Sequence, residues 1–266
     1  MRKAPPTHGD RDETDATPER VHRAIAGSEV AHARVNAAQA RAAAAMARTR
    51  AAARSPSRKG GGWASELVVV AASAGGIAAI TAVLAAPPSG FEAAVLVVQH
   101  LAPDRPSYLA EILDRRCPLP VAEARHGERL VPGVVRLAPP DQRLLVRRGC
   151  TLTLSRSMLV HYVRPSADLL FESAAAAYGE RVVAVVLTGT GIDGCRGAAA
   201  VRQMGGHVIV QGEATSAFFG MPGAVIASGE ADLVLPLEGV EPAIGTLIAG
   251  LPCLTGGLAG QHRLTI

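Results

Sequence analysis

The fold is decided by the stretch Leu67-Val68-Val69-Val70-Ala71-Ala72-Ser73-Ala74-Gly75-Gly76. Its first six residues are all apolar, which is typical of a β-strand buried on both faces in a parallel sheet. The small residues that follow are typical of a turn into a helix. The stretch therefore predicts the start of an α/β domain whose functional groups lie just past the ends of its strands.

The rest of the chain repeats this alternation. Strands are predicted at Leu67–Ala72, Ala93–Gln99, Val134–Ala138, Arg181–Leu187, Gly206–Val210 and Ala231–Leu235. Helices are predicted at Gly76–Ala86, Pro106–Arg115, Pro165–Tyr178, Gly194–Met204 and Pro222–Ser228. Residues 119–160, with alternating polarity over Arg147–Leu154, predict turns and hairpin strands. We therefore predict a doubly wound, mostly parallel, Rossmann-like sheet with a β-hairpin excursion, in a single α/β domain.

The composition changes at Trp63, the first aromatic residue. An Ala/Arg tract at 28–54 can form a helix but has too few large apolar side chains for a core, and the Gly-rich residues 55–62 read as a linker. The predicted division is a disordered or helical N-terminal arm with its linker (1–63), the domain (64–252) and a C-terminal tail (253–266).

The basic charge belongs to the arm. Residues 1–60 hold 12 basic and 6 acidic side chains, which leaves 15 and 17 for the rest of the chain. A nucleic-acid-binding domain would carry its basic residues on the folded surface, so this class is excluded.

The start of the chain lacks the apolar segment of a secretory signal, and no apolar run of about 18 residues follows. We predict a cytoplasmic protein without membrane insertion.

The cysteines and the glycine turns argue against metals and cofactors. The four cysteines, at 117, 150, 195 and 253, are too far apart for metal-binding pairs and are predicted to be buried thiols in a reducing compartment. The glycine turn after Ser73 lacks the G-x-G-x-x-G spacing of dinucleotide-binding proteins, the lysine of a P-loop and the G-x-S-x-G of α/β-hydrolases. We expect no metal and no cofactor.

Three predicted strands end on residues that can perform acyl transfer. Ser73 follows the first strand, His100 follows the second, and Asp193 lies in the glycine-rich turn after the strand that ends at Leu187. A serine, a histidine and an aspartate are the nucleophile, the base and the orienting acid of serine hydrolases. Together they predict a catalytic triad at the carboxyl edge of the sheet.

Alternative interpretations of these residues remain open. Ser73 could cap a helix or belong to a phosphate cradle, His100 could be structural, and Asp193 could cap a turn. The competing candidates are His126, His161, His207, Asp104, Asp141 and Asp168, none of which follows a strand directly. Asp168 is interpreted as an acid that caps or charges the first turn of its own helix.

Five ordered motifs resemble those of a known family. They are Ala72-Ser73-Ala74-Gly75-Gly76, Val98-Gln99-His100-Leu101, Arg164-Pro165-Ser166-Ala167-Asp168, the stretch from Leu187 to Gly194, and the stretch from Gln211 to Pro222. Over about residues 67–250 the chain resembles the catalytic domain of the CheB-type protein-glutamate methylesterases of chemotaxis. The resemblance implies hydrolysis of glutamyl methyl esters on chemoreceptors, and often deamidation of receptor glutamines.

The resemblance also implies roles for individual residues. Ser73 would be the nucleophile, His100 the general base and acid, and Asp193 the acid that orients His100. Backbone N–H groups at Ala74 and near Thr190 would form the oxyanion hole, with Gly75 and Gly191 beside them in the substrate-binding turns. Two residues depart from the family pattern, because Ala74 stands where threonine is common and Thr190 where methionine is usual.

The expected partners are methyl-accepting chemoreceptors and a chemotaxis methyltransferase. Two other classes stay open: a catalytically slack scaffold that binds these partners, and an esterase for a non-receptor substrate. The family usually carries an N-terminal receiver domain, and residues 1–62 show no strand pattern that could form one. The sequence is therefore interpreted as a free-standing esterase domain with constitutive activity.

Overall fold

The computed structural model describes residues 64–87, 90–101, 107–156 and 165–250. The predicted N-terminal arm and C-terminal tail lie outside the described residues. So do three of the residues weighed above, Asp104, His161 and Cys253. The described chain begins at Ala64, which is buried and donates its backbone N–H to the Leu130 carbonyl at 3.1 Å.

The main sheet has seven strands, and all of their pairings are parallel. The strands are β1 (Glu66–Ala72), β2 (Ala93–Gln99), β3 (Val121–Glu123), β4 (Val135–Leu137), β7 (Val182–Val186), β8 (His207–Gln211) and β9 (Leu233–Leu235). Their order across the sheet is β3-β4-β2-β1-β7-β8-β9. A separate antiparallel hairpin is formed by β5 (Arg143–Arg147) and β6 (Thr151–Ser155). The predicted doubly wound sheet with a hairpin excursion is confirmed.

Helices cover both faces of this sheet. The α-helices are α1 (Gly76–Leu84), α2 (Leu109–Asp114), α3 (Ala167–Tyr178), α4 (Cys195–Gln203), α5 (Gly220–Ser228) and α6 (Leu237–Ile248). Apolar side chains of α3, α4, α5 and the hairpin form the core on one face, and those of α1, α2 and α6 form it on the other.

The apolar run of β1 is explained by its central place. Because side chains alternate across a strand, Leu67 and Val69 enter the first core and Val68 and Val70 enter the second. All four are at most 1% exposed. A strand with helices on both faces needs apolar residues at every position, which is why the run has no polar interruption.

Two elements were not predicted. Helix α6 contains Pro242 and two glycines, which are poor helix formers, and its apolar face through Val240, Ala243 and Ile244 packs on the core beside α1. Tertiary packing therefore compensates for weak local propensity. Strand β3 has three residues, too few for a periodic signal, and is defined by its pairing with β4.

The three described cysteines correct one expectation. Cys117, Cys150 and Cys195 are free thiols, as predicted, but they are only partly buried rather than fully enclosed.

No helix within the described ranges has the length and apolar character to cross a membrane.

The chain reverses direction in the sheet between β1 and β7. From β1 the chain continues through β2 toward one edge, and from β7 it continues through β8 toward the other. In open parallel sheets a crevice forms at such a switch point, just past the carboxyl ends of the strands. The turns that follow β1 and β7 therefore define the candidate site.

Candidate active site

Ser73 is the first residue after β1, at the start of the turn into α1. Its backbone N–H donates to the Thr188 carbonyl at 3.0 Å, and its own carbonyl accepts from Gly76 N at 2.8 Å. Gly75 precedes the helix with a φ of 76°, a left-handed conformation that favours glycine. The turn is therefore held to β7 on one side and closed on the N-terminus of α1 on the other.

His100 occupies the equivalent place on the neighbouring strand. The register pairs Ala72 of β1 with Gln99 of β2, so Ser73 and His100 are the next residues on two adjacent parallel strands. The backbone N–H of His100 donates to the Ala72 carbonyl at 3.1 Å. Sheet geometry therefore brings the nucleophile and base candidates to the same edge, one strand spacing apart.

Asp193 is the acid that binds His100. Its Oδ2 lies 2.8 Å from His100 Nε2. The aspartate is 4% exposed and the histidine side chain 15%, so the pair is shielded while the ring stays reachable. With Nε2 held by the carboxylate, Nδ1 is the ring nitrogen left to exchange a proton.

Several donors stabilise the ionised form of Asp193. Its oxygens accept the backbone N–H of Ala167 at 2.6 Å and of Asp168 at 3.1 Å, and the hydroxyl of Ser166 at 3.0 Å. Burial by itself would raise the pKa of Asp193, but the hydrogen bond from His100 and those from the two backbone groups outweigh it and lower the pKa below its ordinary value. Asp193 is therefore a carboxylate at neutral pH, able to orient the imidazole.

The turns after β1 and β7 are joined through Thr188. Its hydroxyl donates to the Ala74 carbonyl at 3.0 Å and accepts the Phe218 N–H at 2.9 Å. Its backbone N–H donates to Oε1 of the buried Gln211 at 2.8 Å. Thr188 therefore fixes the spacing between the turn that begins at Ser73 and the glycine-rich turn.

The predicted oxyanion residues lie on these two turns. Ala74 and Gly75 follow Ser73, while Thr190 and Gly191 are exposed residues of the turn that leads to Asp193. Within the described ranges, no backbone hydrogen bond uses the N–H of Ala74 or of Thr190. The prediction that these two N–H groups form an oxyanion hole is taken up in the proposed reaction.

Two supporting residues had no assigned role in the sequence interpretation. Ser166 donates to Asp193, and the amide of Gln99 donates to the Ser73 carbonyl at 2.8 Å and the His100 carbonyl at 3.1 Å. Both belong to the motifs that carried the family resemblance, so the motifs were the available signal. Their function depends on which groups they reach in the folded chain, and residue spacing does not predict this.

The rejected candidates have other roles. The ring of His126 binds the backbone of Leu154. His207 is the first residue of β8 and lies at the amino-terminal end of that strand, away from the candidate site. Asp168 lies in the first turn of α3, as expected of an acid that charges this turn, and it also binds a second helix. Its carboxylate accepts the N–H groups of Gly194 and Gly197 at the start of α4.

Gly189 lies where the two turns are in closest contact. A Cβ on this residue would lie 2.9 Å from Ser73 Cβ and would also meet the Met221 sulfur. Gly189→Ala is expected to displace the turn that begins at Ser73, with a loss of about 1–3 kcal/mol in the free energy of unfolding and a large loss of activity. Urea unfolding and ester hydrolysis measure the two effects.

Gly239 provides a control for this substitution. It lies in α6, and a Cβ there would be at least 3.5 Å from its neighbours. Gly239→Ala should be neutral or slightly stabilising, because alanine favours a helix over glycine. If Gly189→Ala retained wild-type stability and activity, the close contact between the two turns would not matter to the site.

The arrangement defines a class of protein. A serine after one strand, a histidine after the next and an ionised aspartate bound to that histidine form the constellation of a serine hydrolase, here at the switch point of a Rossmann-like sheet. Comparison with known proteins gives the family. The model of the CheB methylesterase family matches residues 68–244, and the chain belongs to this family.

Curated relatives agree with this assignment. A protein-glutamate methylesterase/protein-glutamine glutaminase 2 of Caulobacter vibrioides is 43% identical over 185 residues, which is 68% of this chain and 53% of the relative. A protein-glutamate methylesterase/protein-glutamine glutaminase of Moorella thermoacetica is 41% identical over 203 residues, 75% of this chain and 47% of the relative. The chain spans about half the length of the curated relatives it matches.

A solved structure matches over the same region. The crystal structure of the Thermotoga maritima CheB methylesterase catalytic domain superposes with a TM-score of 0.65 at 37% sequence identity. The match covers 69% of this chain and 97% of that domain. The described fold is therefore that of a CheB catalytic domain.

Proposed function

We propose that the chain is a protein-glutamate methylesterase that removes methyl groups from glutamyl esters of chemoreceptors. The observation that carries the proposal is the 2.8 Å hydrogen bond between His100 Nε2 and Asp193 Oδ2, next to Ser73 on the adjacent strand. The curated relatives in Caulobacter vibrioides and Moorella thermoacetica bear the names of this activity and of glutamine deamidation. We extend both reactions to this chain, with the ester as the principal substrate.

The proposed reaction begins with acylation of Ser73. The Ser73 hydroxyl attacks the ester carbonyl carbon, and its proton passes to His100 Nδ1. The carbonyl oxygen becomes an oxyanion, which accepts hydrogen bonds from the N–H groups of Ala74 and Thr190. Asp193 holds the ring by Nε2 and stabilises the imidazolium that forms.

Two further steps complete the cycle. The tetrahedral intermediate collapses, the bond from carbon to the methoxy oxygen breaks, and His100 returns the proton so that methanol leaves. Water then attacks the glutamyl ester on Ser73, again with His100 as the base, and releases the free carboxylate. With a glutamine substrate the same sequence releases ammonia.

The chemistry of the substrate fits the site. A glutamyl side chain is long and flexible enough to bring its ester to the turns after β1 and β7. Two exposed apolar side chains, Ile192 and Phe218, lie beside these turns and could contact a protein substrate. We place the reaction in the cytoplasm, where the free thiols of Cys117, Cys150 and Cys195 persist. A chemotaxis methyltransferase, which adds the same methyl group, is the second proposed partner.

The experiment that tests this function is methanol release from a radiolabelled, methylated receptor fragment. The purified chain should release methanol at a rate proportional to enzyme concentration, and Ser73→Ala should not. Binding of the fragment without release would favour a scaffold. Hydrolysis of a small methyl ester without release from the receptor would favour another ester substrate. Either result would overturn the proposal.

A further inference from the structure

Asp168 is a buried carboxylate that the proposed mechanism does not use. It is the second residue of α3 and is 2% exposed. Its Oδ1 accepts the backbone N–H of Gly194 at 3.0 Å and that of Gly197 at 2.8 Å. Gly194 is the residue that directly follows Asp193, so Asp168 binds the turn on which the orienting acid lies.

The two aspartates exchange partners across two helices. Asp193 lies two residues before the first residue of α4 and accepts N–H groups from the start of α3. Asp168 lies in α3 and accepts the N–H groups of Gly194, directly before α4, and of Gly197 in its first turn. The N–H groups in the first turn of a helix lack intrahelical partners and carry partial positive charge. Asp193 therefore accepts donors from the helix that contains Asp168, and Asp168 accepts donors from the helix that follows Asp193.

The helices α3 and α4 are closely packed where these hydrogen bonds form. A Cβ at Gly197 would lie 2.9 Å from the Asp168 carbonyl oxygen and 2.5 Å from Phe171 Cβ, so the backbones of α3 and α4 are in direct contact. The backbone N–H of Asp168 adds a 3.1 Å hydrogen bond to Asp193 Oδ1. Because the two helices are in contact here, we expect a change in the Asp168 side chain to move the turn that contains Asp193.

We propose that Asp168 is a positioning residue of the active site, whose carboxylate fixes the Asp193 turn so that Asp193 can orient His100. This inference rests on the proposed catalytic role of Asp193. It gives Asp168 an effect on kcat that a residue joining two helices for stability alone would not have. Because Asp168 is almost fully buried, we expect it to make no contact with the substrate and the KM not to depend on it.

The first test is a substitution series at this position. Asp168→Ala should lower kcat about 100-fold, as a displaced catalytic group does, with the KM within about twofold of wild type. Asp168→Asn keeps an oxygen that can accept the two N–H groups and should retain kcat within about fivefold. Should the alanine variant not fold, Asp168→Ser replaces it with the same expected loss, because its hydroxyl is too short to reach both donors.

Glu172 provides the matched control. It lies on the same helix and binds Arg196 of α4 through an exposed ion pair of 2.7 Å. Glu172→Ala removes a carboxylate contact between the same two helices, and its kcat should stay within about twofold of wild type. Melting temperatures for all variants separate loss of fold from loss of rate.

A double-mutant cycle shows whether Asp168 acts through Asp193. In an Asp193→Asn background, Asp168→Ala should change the residual rate by less than about twofold, because the acid that it positions is already disabled. A wild-type kcat for a folded Asp168→Ala, failure of Asp168→Asn to restore it, or independent losses in the double mutant would each overturn the positioning role. Unimpaired activity of Ser73→Ala would instead overturn the proposed function itself.

Discussion

Ser73→Ala and His100→Ala are each expected to lower the rate of methanol release by at least about 10⁴-fold, while the folded structure is retained. In the proposed mechanism Ser73 supplies the atom that forms the acyl bond, and His100 moves the proton in both half-reactions. Both side chains lie past the ends of strands rather than in the core, so neither substitution leaves a cavity in the sheet. The measurement is methanol release with circular dichroism and melting temperature in parallel.

The double variant separates a triad from two independent contributions. Because members of a triad act as a unit, Ser73→Ala combined with His100→Ala should be no slower than the worse single variant. Ser228→Ala is the control, since that exposed hydroxyl only donates to the Val225 carbonyl at the end of α5. Near wild-type release by Ser73→Ala would show that another residue is the nucleophile.

Asp193→Asn is expected to cost about 10⁴-fold in kcat, nearly as much as loss of the histidine. The amide keeps the shape of the side chain but presents an N–H group to the His100 ring, or it favours the other tautomer of that ring. In either case Nδ1 would no longer accept the Ser73 proton. It also removes the negative charge that stabilises the imidazolium. Steady-state kinetics on a small methyl ester measure the effect without receptor docking.

Asp232→Asn is the control for loss of a buried carboxylate. Asp232 is 1% exposed, accepts the backbone N–H of Val208 at 2.9 Å and forms an ion pair with Arg202. It lies near the start of β8, at the end of the strands opposite the candidate site. Asp232→Asn should lower the melting temperature and leave kcat within about twofold when measured below that temperature. If the two variants lost equal activity, the effect at Asp193 would be one of stability.

We expect the two departures from the family pattern, at Ala74 and Thr190, to affect the rate rather than the proposed triad. Ala74 has no hydroxyl where a threonine is common, and Thr190 has one where methionine is usual. The hydrogen bonds that join the two turns use the Ala74 carbonyl and the hydroxyl of Thr188, neither of which depends on the side chains at 74 and 190. The proposed oxyanion donors are backbone groups, so they are preserved by the turns themselves.

The sequence by itself determined the class of the sheet and the residues of the proposed triad. Continuous apolar runs such as Leu67–Ala72 are typical of strands covered on both faces, and parallel strands bring the residues after them to one end of the sheet. Ser73 and His100 could therefore be selected from position alone. The ordered motifs around them indicated the family, which the comparisons confirm.

Tertiary structure decided how Asp193 is held and what Asp168 binds. Asp168 lies in α3, yet its carboxylate binds α4, because the contact between these helices at Gly197 brings their N-termini together. The donors to Asp193 likewise come from residues 166–168, more than twenty positions earlier in the chain. Local propensity reports only neighbours in sequence, whereas these hydrogen bonds, like the packing that forms α6 around Pro242, exist only once distant segments have come into contact.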